Sequence, residues 1–163
     1  MTIATKRALL LPYTELFESN FLMLNCCTKN RAFLGGPLTI SVARERFHQL
    51  LVSADIFAMA VLDNYNREYI GHIQLSVSKG IGDLLFIFDK AYWGKGFAYE
   101  ALKSFIPNMR AQNCFLTEIK ATVQAQNKAA VRLLNKLGFQ SYGRKPDEFF
   151  FICDVEESRT LPL

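Results

Sequence analysis

The chain has 163 residues and a net charge of +4, and half of its residues are hydrophobic. That length favours a single domain spanning residues 1–163, and the hydrophobic share excludes a disordered or repetitive polypeptide. The longest apolar run, Ile56 to Leu62, is shorter than the ~20 residues of a membrane span, and no long block of like charges indicates a nucleic-acid-binding tail.

Hydrophobic periodicity divides the chain into strands and helices. Apolar residues three or four positions apart predict helices, and alternation of apolar and polar residues predicts strands. In chain order, the predicted elements are a strand at 7–11, helices at 14–28 and 39–52, strands at 56–62, 69–78 and 83–89, a helix at 95–112, a strand at 117–123, a helix at 127–137 and a hairpin of 139–142 with 148–155. This order predicts an α/β protein with a mixed sheet flanked by helices.

Particular residues sharpen some of these predictions. Thr39 or Ser41 is expected to cap the second helix, and Pro107 is expected to kink the third helix or end it early. The strand from Asp83 to Asp89 is almost wholly apolar between its ends. Such a strand is typical of the centre of a sheet that is covered on both faces.

A glycine-rich turn follows this apolar strand and precedes the third helix. Gly94, Lys95 and Gly96 form its centre. The first amides of a helix have no intrahelical partner, the helix dipole favours anions there, and glycines let the main chain approach a phosphate closely. The turn therefore predicts a pyrophosphate site, with an ordinary tight turn as the alternative.

Two other nucleotide-binding motifs fit this turn less well. The dinucleotide fingerprint requires a third glycine, but Tyr99 occupies that position. A Walker loop requires Ser or Thr after its Lys, but Gly96 follows Lys95. A dinucleotide or nucleoside-triphosphate enzyme therefore stays a rival interpretation, which predicts stabilisation by NAD or ATP.

The segment from Tyr92 to Leu102 resembles the phosphate-binding signature of GNAT acetyltransferases, in the branch that acetylates ribosomal-protein N-termini (the RimJ/RimL type). The resemblance continues in the same order through residues 33–38, 69–72 and 127–139. Trp93 replaces the Gln or Arg of the signature, which spares phosphate binding because backbone amides perform it. The resemblance implies the α/β GNAT fold, with a mixed sheet of six or seven strands and about four helices, as a single N-acetyltransferase domain.

The same resemblance implies an acetyl-CoA cosubstrate and no metal. Its pantetheine arm would lie along the central strand like an added strand, and its pyrophosphate would lie on the turn. The implied residues are Phe86, Ile87 and Phe88 for the arm, Gly94, Lys95, Gly96, Phe97, Ala98 and Tyr99 for the pyrophosphate, and Asn127 for the pantetheine. For Asn127 a helix N-cap is an alternative that is compatible with that contact.

Acetyl transfer to an amine requires a base, because an ammonium group has no lone pair. Asp83 lies where several family members place an acidic base, and Asp89 is a second candidate; a turn role is the alternative for both. Glu100 in the first turn of the helix complements its dipole and is interpreted as structural. Leu134 stands where many relatives carry a Tyr, which leaves water or Tyr142 to protonate the leaving thiolate.

The function implied by the resemblance is direct transfer of an acetyl group to a primary amine. A protein N-terminus is the first expected acceptor, and a polyamine, amino acid or aminoglycoside is the second. A non-catalytic acyl-CoA-binding module is a third interpretation, because Leu134 departs from the pattern. A homodimer is common in such families, and neither a nucleic acid nor a membrane is expected as a partner. The four cysteines lack CxxC spacing, which favours reduced thiols and a cytoplasmic location.

Overall fold

The computed structural model describes residues 1–154. Its elements are strands β1 (Ile3–Ala4) and β2 (Ala8–Pro12), a 3₁₀ helix (Glu15–Phe17), helices α1 (Glu18–Asn25) and α2 (Ile40–Val52), strands β3 (Ile56–Asp63), β4 (Tyr69–Ser78) and β5 (Ile81–Phe88), a 3₁₀ helix (Lys90–Tyr92), helix α3 (Phe97–Gln112), strand β6 (Glu118–Gln124), helix α4 (Lys128–Lys136) and strands β7 (Gln140–Lys145) and β8 (Glu148–Asp154). The predicted α/β architecture is confirmed. Residue 155, the predicted end of the last strand, lies outside the described residues.

The described strands form one mixed sheet in the order β1-β2-β3-β4-β5-β6-β8-β7. Each neighbouring pair is antiparallel except β5 and β6, which run parallel. The sheet has eight strands within residues 1–154, in place of the six or seven expected. The additional strand is Ile3–Ala4, which pairs with β2 but is too short to show an alternating pattern.

The parallel pair β5 and β6 is joined at one end only. Paired positions cover residues 81–83 of β5 and 118–120 of β6, whereas β5 continues to Phe88 and β6 to Gln124. Beyond Asp83, β5 pairs only with β4 on its other side, and β6 pairs with β8. The two strands therefore separate in the middle of the sheet and leave two backbone edges facing a cleft.

The two faces of the sheet are covered by different helices. Side chains of β4 alternate, so that Ile73 and Leu75 join the core with Leu102 and Phe105 of α3, whereas His72 points to the opposite face and contacts Phe21 of α1. Burying a side chain of this size contributes about 1.5–3 kcal/mol. The apolar residues of α3 and α4 therefore form one continuous core with this face of the sheet.

Capping residues set the ends of α2 and α4. The Thr39 hydroxyl accepts a hydrogen bond from Val42 N at 3.2 Å, so Thr39, one of the two predicted caps, begins α2. Gly138, with a φ of 92°, follows α4 in the left-handed conformation that glycine adopts readily.

The helices found in residues 1–154 are each too short or too polar to span a membrane.

One local prediction is wrong in part, and a second is wrong. Pro107 does not end α3 early, since the helix continues to Gln112, whereas the kink stays a prediction. Because Pro107 is exposed, water can solvate the carbonyl that the proline leaves without a donor. The central strand β5 is not covered on both faces, since Asp83 and Leu85 are exposed. Helices α1 and α2 pack on β4 and β3 and leave this face of β5 open.

Candidate functional site

A cavity of about 380 Å³ occupies the cleft between β5 and β6. Its lining comprises Leu84 to Phe88 of β5, Ala121 to Val123 of β6, Tyr92 to Gly94 and Gly96 to Tyr99 at the start of α3, Asn127, Ala129, Ala130 and Leu133 at α4, and Asn30, Phe33 and Leu34 of the α1–α2 loop. A concave, mainly apolar cavity with a few polar groups is typical of a cofactor or small-molecule site. Here one end of the cavity is the N-terminus of a helix.

The cavity brings together the predicted cofactor-binding residues, with one exception. Phe86, Ile87, Phe88, Gly94, Gly96, Phe97, Ala98, Tyr99 and Asn127 all line it. The exception is Lys95, which does not line the cavity and donates from Nζ to the Ala91 carbonyl at 3.2 Å. The main chain of Lys95 remains part of the turn, so any role in binding falls to its backbone.

The two glycines of the turn adopt a backbone conformation that other residues rarely adopt. Gly94 and Gly96 have φ angles of 74° and 81°, in the left-handed region. The first intrahelical hydrogen bond of α3 runs from Glu100 N to Gly96 O at 3.1 Å. The amides of residues 97–99 therefore have no intrahelical acceptor, and with the helix dipole they place partial positive charge at the end of the cavity.

An ion pair holds the turn from behind. Arg7 Nε lies 2.8 Å from Glu100 Oε1, Arg7 Nη1 donates to the Lys95 carbonyl at 2.8 Å, and the guanidinium lies 4.5 Å from the Phe97 ring centroid. Burial alone would raise the pKa of Glu100, but hydrogen bonds from Thr5 and Arg7 and the charge of Arg7 lower it overall. The structural interpretation of Glu100 thus has a geometric basis, which sequence reasoning missed because Arg7 is 93 positions away.

Two lysines flank the same end of the cavity. Lys136 Nζ lies 4.0 Å from the Tyr99 ring centroid, and Lys103 Nζ lies 5.6 Å from it. Tyr99 itself lines the cavity. Together the lysines and the helix N-terminus make this end suited to a polyanion.

Asn127 does what its N-cap interpretation predicts. Its Oδ1 accepts a hydrogen bond from Ala130 N at 3.2 Å, at the start of α4. The side chain also lines the cavity. Because the cap uses Oδ1, the Nδ2 group is available to a ligand, so the two predicted roles are compatible.

The loop between α1 and α2 closes one side of the cavity through Phe33 and Leu34. It is held by Arg31, which is 6% exposed. The guanidinium donates to the carbonyls of Leu34 and Gly36, each at 2.8 Å, and to Asn25 Oδ1 at 3.0 Å. Burial, followed by the nearby charge of Arg46, lowers the pKa of Arg31. No motif in the sequence marks this loop-holding arginine.

Asn30 fastens the loop to the end of β5. Its Nδ2 donates to Asp89 Oδ2 at 3.1 Å, and its Oδ1 accepts from Lys90 N at 2.8 Å. Asp89 also caps the following turn, because its Oδ1 accepts from Ala91 N at 2.9 Å. Asp89, the second candidate base, is therefore engaged in the turn role that was its alternative.

The candidate proton-transfer groups lie in different surroundings. Asp83 is exposed and does not line the cavity; it occupies the last paired position between β5 and β6, opposite Lys120. Leu134 is fully buried in the core. Tyr142 is 53% exposed and has Lys120 Nζ 5.6 Å from its ring centroid. Asp83 and Tyr142 therefore share the neighbourhood of Lys120, outside the cavity.

The described part of the chain contains neither a metal-binding cluster nor a disulfide. Residues 1–154 contain no cluster of three or more His, Cys, Asp or Glu side chains arranged to hold a metal. Cys26, Cys27, Cys114 and Cys153 form no disulfide in this part of the chain. The polar chemistry of the site thus comes from backbone amides and a few side chains.

Parts of this sequence match known proteins. A profile of the acetyltransferase (GNAT) domain family matches residues 9–140. The uncharacterized N-acetyltransferase p20 of Bacillus licheniformis is 32% identical over 73 residues, which are 45% of this chain and 40% of that protein. The match thus spans less than half of that relative.

Two solved structures superpose along nearly their whole length. The ribosomal-protein-S5-alanine acetyltransferase of Vibrio fischeri has a TM-score of 0.80 at 20% identity, over 96% of this chain and 98% of its own. The spermidine N-acetyltransferase of Vibrio cholerae, solved with CoA and spermine, has a TM-score of 0.82 at 16% identity, over 96% of this chain and 100% of its own. Because the sequence identities are only 20% and 16%, these structural similarities show the fold alone.

Proposed function

The chain belongs to the GNAT acetyltransferase family, and we propose that it transfers an acetyl group directly from acetyl-CoA to a primary amine, with a protein N-terminus as the acceptor. The observation that carries this proposal is the cavity between β5 and β6, which joins an unpaired strand edge to the N-terminus of α3. An extended cofactor with an amide-containing arm and a pyrophosphate needs both features at once.

The proposed acetyl-CoA site uses each part of the cavity for a different portion of the cofactor. The backbone of Phe86, Ile87 and Phe88 pairs with the pantetheine arm, because β6 does not occupy that edge of β5. The main-chain amides from Gly94 to Tyr99, including that of Lys95, hold the pyrophosphate. Asn127 donates from Nδ2 to the pantetheine, and Lys103 and Lys136 neutralise phosphate charge.

The proposed reaction is one displacement at the thioester carbonyl. The neutral amine attacks the carbonyl carbon, the C–N bond forms, and the C–S bond breaks when the tetrahedral intermediate collapses. Asp83 takes the proton lost by the amine, directly or through water, because it is an exposed carboxylate where β5 and β6 part. The leaving thiolate takes a proton from water or Tyr142, since Leu134 is a hydrocarbon. A cysteine-like thiol has a pKa of ~8.5, so its thiolate is a good leaving group.

One observation supports a protein N-terminus over a polyamine. Phe33, Leu34 and the exposed Leu85 offer an apolar surface to the residue that follows an N-terminal amine. The ribosomal-protein acetyltransferase branch is therefore the proposed assignment, and a cytoplasmic location with reduced thiols is part of it.

Ligand-induced stabilisation tests the cofactor. Acetyl-CoA, NAD and ATP are compared by thermal shift; a ligand at a hundred times its Kd adds ~2.7 kcal/mol of stability. Stabilisation by acetyl-CoA is expected, and stabilisation by NAD or ATP alone contradicts the proposal.

Thiol release then tests the reaction and the acceptor. The chain is assayed with acetyl-CoA and one of two acceptors, which are spermidine and a peptide whose first residue is alanine. Preferred turnover of the peptide supports the proposal, whereas preference for spermidine assigns the chain to small amines. Stabilisation by acetyl-CoA without turnover of any amine identifies an acyl-CoA-binding module.

A further inference from the structure

Strand β4 carries three polar side chains on the face of the sheet that α1 and α2 only partly cover. His72, Gln74 and Ser76 alternate with the buried Ile73 and Leu75. Their partners across the pair with β5 are residues 87, 85 and 83, respectively. The polar row therefore runs beside the strand that forms one wall of the cavity and ends opposite the proposed base.

His72 is the buried centre of this row. It is 1% exposed, and its ring lies 5.3 Å from that of Phe21 and 5.4 Å from that of Tyr13. Both ring nitrogens have partners: Nδ1 lies 2.8 Å from Tyr13 Oη, and Nε2 lies 2.9 Å from Gln74 Oε1. Burial lowers the pKa of His72 to about 4, so the ring is neutral at physiological pH.

The hydrogen bonds all run in one direction. The Gln74 amide oxygen can only accept, so His72 Nε2 carries the hydrogen and Nδ1 accepts from the Tyr13 hydroxyl. Tyr13 Oη in turn lies 2.6 Å from Tyr69 Oη and accepts from it. At the other end, Gln74 Nε2 donates to Ser76 Oγ at 3.3 Å. An amide cannot relay a proton easily, so this row orients groups rather than transferring charge.

Gln74 and Ser76 form the solvent-accessible end of the row, next to the exposed residues of β5. Gln74 and Ser76 are half-buried, and within residues 1–154 their remaining hydrogen-bonding capacity, the second Nε2 hydrogen and the Ser76 hydroxyl hydrogen, has no protein acceptor. Gln74 lies opposite Leu85, which lines the cavity, and Ser76 lies opposite Asp83. A hydrocarbon at position 72 would pack against the surrounding rings without any need for hydrogen-bond partners, so the histidine is not required by burial alone.

We propose that His72 is a positioning residue of the acceptor site, because it fixes the orientation of the Gln74 amide and, through it, the Ser76 hydroxyl. These two groups hold the incoming amine and its adjacent peptide carbonyl beside Asp83. The inference rests on the proposed function. Ser76 Oγ accepts from the amine, and the free Gln74 amide hydrogen donates to the carbonyl. The row thus contributes orientation of the acceptor and makes no contact with acetyl-CoA.

The test separates the acceptor from the cofactor. His72→Phe keeps an aromatic ring beside Tyr13 and Phe21 but cannot orient Gln74. The expected result is an increase of about tenfold in the KM of an alanine-initiated peptide, the change that 1.4 kcal/mol produces. The KM of acetyl-CoA is expected to stay within twofold. His72→Gln, whose amide can donate from near the Nε2 position, is expected to restore most of the peptide KM.

Tyr69→Phe is the matched control. It removes a buried hydrogen bond from the same row but leaves the Tyr13 hydroxyl to donate to His72, so it is expected to lower stability without changing the peptide KM. A His72→Phe variant with wild-type peptide KM overturns the inference, as does a Tyr69→Phe variant whose KM rises equally, because the effect is then one of stability.

A double-mutant cycle closes the test. Gln74→Leu is expected to raise the peptide KM about tenfold, and His72→Phe with Gln74→Leu no further, because one residue acts through the other. Independent, multiplicative effects overturn the inference. If the wild-type chain acetylates no amine, the proposed function and this inference both fail; if it turns over normally and the variants match it, only this inference fails.

Discussion

The Arg7 guanidinium and the Glu100 carboxylate meet at 2.8 Å across 93 positions of sequence. The contact joins the turn before β2, at the edge of the sheet, to the first turn of α3. Arg7 also donates to the Lys95 carbonyl, within the glycine turn. The residues that hold the glycine turn therefore include a side chain from near the start of the sequence, so the turn is expected to be sensitive to changes outside the cavity.

Replacing Arg7 is expected to weaken acetyl-CoA binding without touching the cavity. Arg7→Ala removes the hydrogen bond to the Lys95 carbonyl and the ion pair, so the turn loses its support; we expect about a fivefold rise in Kd, equivalent to about 1 kcal/mol. Titration calorimetry measures the change. Lys6→Ala removes an adjacent exposed charge and is the control; equal losses in both variants would indicate a general electrostatic effect.

The ion pair also predicts a pH dependence of stability. The pKa of Glu100 is lower in the folded chain than its ordinary value of 4.5, so its contribution is complete above the unfolded pKa and is lost as the pH falls through the folded pKa. Glu100→Gln should therefore be less stable than the wild type at pH 7, and the difference should shrink below about pH 4.5. Urea unfolding from pH 7 to pH 3 measures it; a difference that is constant with pH contradicts the assignment.

Substitution of Gly96 is expected to damage both the turn and the binding of the cofactor. An alanine there would hold φ at 81° and place its Cβ 3.2 Å from Arg7 Nη2. The left-handed conformation costs about 1–2 kcal/mol in an alanine. Gly143→Ala, whose Cβ would lie 3.7 Å from Phe150, is the control and should leave acetyl-CoA binding unchanged. Wild-type stability and affinity in Gly96→Ala would refute the prediction.

Loss of Arg31 is expected to release the loop that closes the cavity. Arg31→Met leaves carbonyls of Leu34 and Gly36 without their donor in a largely buried site, a change that costs about 1–3 kcal/mol per unsatisfied group. The free energy of unfolding measured in urea should fall, and the KM of the peptide should rise. Arg46→Met removes a nearby exposed cation and should change stability by less than about 0.5 kcal/mol. A tolerated Arg31→Met would show that the loop needs no such support.

The proposed base is tested by removing its charge alone. Asp83→Asn keeps the shape of the side chain and should lower kcat about 10²–10⁴-fold, the usual contribution of general acid–base catalysis. The Kd of acetyl-CoA should not change, because Asp83 does not line the cavity. Asp147→Asn, in the exposed turn of the last hairpin, is the control. A kcat within threefold of the wild type would assign proton removal to another group.

Local patterns in the sequence were sufficient for the fold and for many of the residues that line the cavity. Alternation and helical periodicity predicted the elements because each depends on residues within one strand or helix. The glycine turn could be recognised for the same reason, since its residues are contiguous and its chemistry belongs to the backbone. Asn127 was predicted as a cap or a ligand contact because the capping pattern is equally local.

Long-range contacts were decided by the tertiary structure. The Arg7–Glu100 pair, the loop held by Arg31 and the row centred on His72 join residues that only the folded chain makes neighbours. Exposure is also a property of the whole: Leu85 lies in an apolar run but faces open space, because α1 and α2 stop short of β5. A sequence records which groups a chain carries, whereas hydrogen-bond partners and solvent access depend on how distant segments pack.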